Sequence, residues 1–129
     1  MAWMSDSQTS PSARFTQSLV PYKLIDGTVI AFDYFDLTNG AIEAPIDLDE
    51  IGRFQGKPST GNLAENFVWT GTLPDGSAAA EHCSDWTDAD ETEPAISGST
   101  LLEDAGWTVG SIPNEFFCAT AQHIYCFEQ

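Results

Sequence analysis

Residues 82–93, HCSDWTDADETE, concentrate the side chains that can do chemistry. With Glu81 they bring one histidine, one cysteine and six acids into thirteen residues. Calcium takes about six to eight oxygens from carboxylates and carbonyls, often on one loop. Asp85, Asp88, Asp90, Glu91 and Glu93 could supply several of them. A solvated acidic loop needs the same residues and no ion, and both readings stand. Zinc would use thiolates and imidazoles, but Cys83, Cys118 and Cys126 form no CxxC pair, and with His82 and His123 they match no zinc spacing. Nucleophilic catalysis needs a base within hydrogen-bond reach of the nucleophile. Cys126 follows His123 by three positions, which suits an inert buried cysteine beside a strand histidine as well as a dyad. Paired carboxylates run acid–base chemistry when their surroundings split their pKa values. A small hydrolase using loop carboxylates, with or without a metal ion, is therefore an alternative. No GxSxG elbow and no glycine-rich phosphate loop occurs. Asp47, Asp49 and Gly52 fit positions one, three and six of an EF-hand, but Ile51 and Pro58 stand where oxygens are required.

The bulk numbers narrow the classes. The 129 residues suit one domain, residues 1–129, and 42% hydrophobic content with eight Phe and four Trp is enough for a core. Twenty acids against four bases give −16. That field repels nucleic-acid phosphates and anionic membranes, so neither is an expected partner. No apolar run approaches the roughly 20 residues of a membrane span. The opening MAWMSDSQTSPSARF lacks the basic start and apolar core of a signal peptide. Three cysteines suggest one disulfide and one leftover thiol.

These residues must be held by short elements. Residues 1–18 read as an irregular N-terminal segment, with residues 1–4 as the tail of a helix and Pro11 as a breaker. Residues 19–36 carry a hairpin signal: apolar residues 19–25, then Asp26-Gly27, then residues 28–32. Asp-Gly between such runs favours a type I′ turn. Thr38-Asn39-Gly40 reads as a second turn, and residues 51–66 as loop. Residues 67–72 read as a buried strand closed by Pro74-Asp75-Gly76. Residues 87–105 read mostly as loop, residues 106–109 as a short strand, and residues 116–118 and 123–127 as the last strands. The fold class is α+β, predominantly antiparallel β and loop-rich.

The order VWTGT-x-PDG, C-x-x-WT, GW and C-x7-C ending in YCFE resembles a family of bacterial secreted domains of unknown function. That family in turn resembles the endostatin domain and, more remotely, C-type-lectin-like domains. The resemblance implies a pairing of Cys83 with Cys118 and Trp86 packed near it. It implies that Cys126 lacks its usual partner, because the N-terminal helical part of the fold has no counterpart here and the domain reads as truncated. An apolar face left open would favour a homo-oligomer, or a separate segment supplying the missing part. C-type lectins often bind calcium through loop carboxylates, but Glu93-Pro94-Ala95 keeps only two letters of their Glu-Pro-Asn sugar motif. Trp69 and Trp107 are expected in the core, and Trp3 is expected to be the freest. The leading expectation is an extracellular module for a protein or glycan ligand, with calcium as its candidate ion. A structural, oligomerising surface module is the other alternative.

Overall fold

A computed structural model describes residues 1–55, 66–110 and 116–128. The predicted loop at 51–66 falls largely on residues 56–65, outside the described residues. In chain order come α1 (Pro11–Arg14), β1 (Tyr22–Lys23), β2 (Val29–Ala31), α2 (Tyr34–Leu37), β3 (Phe67–Trp69), α3 (Cys83–Trp86), β4 (Pro94–Ala95), β5 (Ser97–Ser99), a 3-10 turn (Ala105–Trp107) and β6 (Phe116–Phe117). The strands pair antiparallel as β1–β2, β3–β5 and β4–β6. Helical turns and small antiparallel sheets thus make up the described chain, as an α+β reading requires.

One turn design recurs three times. In Leu24-Ile25-Asp26-Gly27-Thr28, the Gly27 N–H donates to the Leu24 carbonyl at 2.9 Å and the Leu24 N–H to the Thr28 carbonyl at 2.8 Å. Leu73-Pro74-Asp75-Gly76-Ser77 repeats both bonds at 2.9 and 2.8 Å, and Asp49-Glu50-Ile51-Gly52-Arg53 repeats them at 2.9 and 3.0 Å. Gly27, Gly52 and Gly76 alone carry the positive φ, at 92°, 79° and 80°. This is a three-residue hairpin loop with a glycine bulge. The expected type I′ turn is therefore corrected. It requires positive φ at both central residues, and Asp26 does not adopt it. The third copy also explains Asp49. Its carboxylate accepts the Ile51 and Arg53 N–H groups, the Arg53 guanidinium at 2.9 Å and the Gln55 amide at 3.0 Å.

β3 is buried on both faces, and its alternation divides the interior. Val68 joins the main core of Trp3, Phe15, Leu37, Trp107 and Phe127, among others. Trp69 joins a second cluster with Cys83 and Ala95, flanked by Trp86, Phe116 and Cys118. Its partner β5 is Ser97-Gly98-Ser99, in the stretch expected to be loop. The backbone of Trp107 lies directly over Gly98. A Cβ there would stand 1.9 Å from the Trp107 carbonyl oxygen. The expected strand at 106–109 is instead the 3-10 turn. Asp104 Oδ1 accepts the Gly106 N–H at 2.8 Å and starts it.

The N-terminal segment departs furthest from what its sequence suggests. Residues 1–5 are extended, not helical. Trp3 N–H donates to the Tyr125 carbonyl at 2.9 Å, Phe127 N–H to the Met1 carbonyl at 2.8 Å and Ser5 N–H to the Thr70 carbonyl at 2.8 Å. The Arg14 guanidinium holds the segment from behind through the Ala2 and Met4 carbonyls. Pro11 does not break the chain. It opens α1, where its missing N–H is not needed. Trp3, expected to be free, is 0% exposed. Its ring packs on Phe15, Trp107 and Phe127, with centroids 5.5, 4.9 and 6.0 Å away.

The buried hydroxyls of Ser5, Thr70, Thr72 and Thr108 form one network with the Trp3 indole. Trp3 Nε1–H donates to Thr108 Oγ1 at 2.8 Å, and Thr108 Oγ1–H to the Thr72 carbonyl at 3.0 Å. Thr72 Oγ1–H donates to the Thr70 carbonyl and Thr70 Oγ1–H to the Thr108 carbonyl, both at 2.7 Å. Thr72 has thereby spent its proton, so Ser5 is the donor in the 2.8 Å bond between their hydroxyls. Burying this many polar groups is tolerable because each finds a partner.

Candidate functional site

The cysteine-and-acid stretch folds in two parts. In its first part, Cys83, Ser84, Asp85 and Trp86 take φ values of 52°, 49°, 59° and 61°. This is a full left-handed turn built without glycine, and each such residue costs about 1–2 kcal/mol relative to the right-handed form. The surrounding bonds hold it there. Cys83 is bonded to Cys118, with Cα atoms 5.6 Å apart, as the family resemblance implies. His82 Nδ1 accepts the Asp85 N–H at 3.0 Å. This places the imidazole proton on Nε2, so Asp85 Oδ1, 3.4 Å from Nδ1, is held by other donors than His82. The Ser7 N–H donates to Oδ1 at 2.6 Å, and the Ser7 hydroxyl donates to Oδ2 at 2.7 Å. The Ser7 N–H, then its hydroxyl, keep the Asp85 carboxyl below the usual carboxylate range. The Trp86 indole N–H donates to the Ser5 carbonyl at 2.8 Å, and its ring lies 5.9 Å from Trp69.

The second part carries the remaining acids. Asp88 accepts the Asp90 N–H at 2.8 Å, and Asp90 accepts the Thr92 N–H and hydroxyl, each at 2.7 Å. Each aspartate thus closes a local turn. The Thr92 hydroxyl and N–H hold the Asp90 carboxyl below its ordinary range. Glu91 and Glu93 are exposed. The five acids are strung along the loop. Among the described residues, no group of three or more His, Cys, Asp or Glu is arranged to hold a metal ion. Cys126 is a free, exposed thiol, and no hydrogen bond joins it to His123 among the described residues.

A second surface feature was hidden in the hairpin. The sequence places residues 19–25 in a strand, but β1 spans only Tyr22–Lys23. Leu19 is 91% exposed, Phe35 80%, Val20 67% and Phe32 57%. Backbone register brings them together. The Tyr34 N–H donates to the Ser18 carbonyl at 2.9 Å, and Tyr22 pairs with Ala31. Residues 19–21 therefore lie opposite residues 32–33, with Phe35 one step beyond Tyr34. At the tip of the same hairpin, Ile25 meets the turn at Gly52. Its Cγ2 would lie 3.6 Å from a Cβ there. Ile25, Ile51 and Phe54 are exposed as well. Scattered exposed apolar residues are ordinary, but large neighbouring ones mark interaction surfaces.

No helix among the described residues is long and apolar enough to cross a membrane. No family model matches this chain, and no curated protein matches it.

Proposed function

We propose that this chain is an extracellular binding module for a protein ligand, built on a C-type-lectin-like or endostatin-like scaffold, with Leu19, Val20, Phe32 and Phe35 as its contact surface. The exposure of these four large apolar residues, on backbone segments that lie side by side, carries the reading. Fully burying a Leu or Phe is worth about 1.5–3 kcal/mol, so a chain that leaves four large apolar residues in water forgoes stability a partner can recover. The Cys83–Cys118 bond supports an oxidising compartment, where such bonds persist. The scaffold rests on the motif order from Val68 to Glu128. Asp85, Asp88 and Asp90 each accept protein hydrogen bonds, and the proposal rests on the apolar surface rather than on the acidic loop.

The test is a comparison of immobilised wild-type chain with its Phe35→Ser variant. Proteins of the extracellular medium retained by the first and lost from the second support the reading. A glycan-array signal in calcium that survives Phe35→Ser, with no protein lost, refutes it.

A further inference from the structure

The occupant of this surface can be specified further, resting on the reading above. We propose that the Leu19–Phe35 surface docks a basic partner protein, one presenting an apolar anchor within a rim of lysine or arginine. The apolar side chains are interleaved with acids. Phe32-Asp33-Tyr34-Phe35-Asp36 alternates the two kinds, and Glu43 is tied alongside by its N–H, which donates to the Ile30 carbonyl at 2.9 Å. Lys23 is the only base between residues 15 and 52.

The carboxylates are held in place. Asp33 Oδ1 accepts the Asp36 N–H at 2.8 Å and so caps α2. Asp36 Oδ2 accepts the Phe32 N–H at 2.8 Å, and its Oδ1 accepts the Asn39 amide at 3.0 Å. Fixed acids beside a hydrophobic anchor favour a partner of opposite charge, because complementary potentials speed encounter and set register. A second copy of this chain is disfavoured. A two-fold interface sets one patch against itself, so Asp33 and Asp36 would face acids again, with −16 on each side. The same acids oppose an anionic lipid surface.

The experiment uses the full chain and a synthetic amphipathic helix of leucine and lysine, with a leucine–glutamine helix of the same apolar face as control. Isothermal titration is run at low and physiological ionic strength. The lysine peptide is expected to bind the wild type and to weaken with salt. Binding should fall at least about tenfold in the Leu19→Ser/Phe35→Ser chain, as for a hydrophobic hot spot. It should fall several-fold in the Asp33→Asn/Asp36→Asn chain, whose amide oxygens can keep the α2 cap and the Phe32 N–H bond while the exposed bond to Asn39 is given up. Near-ultraviolet circular dichroism checks that each variant keeps its fold. Equal binding of the glutamine peptide, still dependent on Phe35, overturns the basic partner and leaves the protein-docking reading standing. Lysine-peptide binding indifferent to Leu19 and Phe35 overturns both. Concentration-dependent dimers of the wild type, absent from the Leu19→Ser/Phe35→Ser chain, would make the occupant a second copy. Phe35-dependent binding to phosphatidylcholine vesicles would make it a lipid surface. Either result overturns the proposal.

Discussion

Replacing Ser84 by glycine should stabilise the protein, against the usual sense of that substitution. Ser84 is exposed and sits at φ 49° within the left-handed turn. It contributes through its carbonyl, which accepts the Thr87 hydroxyl at 2.6 Å and the Thr87 N–H at 3.3 Å. Glycine keeps that carbonyl and removes the Cβ that makes the conformation costly, a relief of about 1–2 kcal/mol. Against this stands the larger unfolded-state entropy of glycine, about 0.5–1 kcal/mol. The expected net gain is about 0.5–1 kcal/mol, or roughly 2–5 °C in Tm for a chain of this size. Urea unfolding with the disulfide intact measures it, followed by tryptophan fluorescence and far-ultraviolet circular dichroism to check two-state behaviour. Ala13→Gly is the control. Ala13 is exposed in the right-handed α1, where the same residue type should lose about 0.5–1 kcal/mol. The two substitutions must differ in sign. If Ser84→Gly loses as much as Ala13→Gly, the turn is not left-handed in solution and the account of how it is held fails.

Other substitutions probe the frame around this turn. Gly98→Ala should cost more than about 3 kcal/mol or prevent folding. The atoms it would strike, 1.9 to 2.9 Å away, are all backbone, so no rotamer relieves them. A soluble variant with wild-type Tm would refute the close approach. The paired Cys83→Ser and Cys118→Ser change opens a loop of 35 residues and should lower stability by about 3–4 kcal/mol on the chain-entropy model. An unmoved urea midpoint contradicts this. Thr108→Val keeps the shape but strands the Trp3 indole N–H, and should cost about 1–3 kcal/mol by chemical denaturation. A neutral result would mean water enters the network. Asp85 has a lowered folded pKa because of its bonds to Ser7. Its contribution is therefore complete above the unfolded carboxylate value near about 4 and is lost as pH falls through the folded one. The stability gap between wild type and Asp85→Asn should be widest near neutrality and shrink below about pH 4. A gap that widens in acid would reverse the assignment.

Much of the local structure could be read from the chain, and the reasons are physical. Asp26-Gly27 and Asp75-Gly76 announced turns because glycine is the residue that takes positive φ without cost. Phe67-Val68-Trp69 announced a buried strand. The burial of Trp3 has no local signal, because polar residues 5–10 follow it closely and its strand partner lies more than 120 residues away, at Tyr125 and Cys126. Ser97-Gly98-Ser99 looked like loop because small residues signal turns, yet here they make room for the Trp107 backbone. The left-handed turn has no local sequence signature, since Cys-Ser-Asp-Trp contains no glycine or asparagine, and besides the local bonds of His82 and Thr87 it is held by distant ones to Ser5, Ser7 and Cys118. The apolar surface was hidden for a different reason. An alternation such as Phe-Asp-Tyr-Phe-Asp reads equally well with either face inward, and only tertiary register decides.

The pairing of residues 1–3 with 125–127 sets an order of events. The three glycine-bulge hairpins close over five residues each and can form within microseconds of their synthesis. Trp3 cannot enter the core until Tyr125 offers its carbonyl. On a ribosome adding about 5–20 residues per second, the segment holding Trp3 must wait several seconds for the one holding Tyr125. Through that interval the main core lacks one of its two tryptophans, and Thr108 lacks its indole donor. The nascent domain is then a set of finished hairpins around an unfilled centre, and the strand at residues 1–5 acts as a bolt thrown only once residues 125–127 arrive.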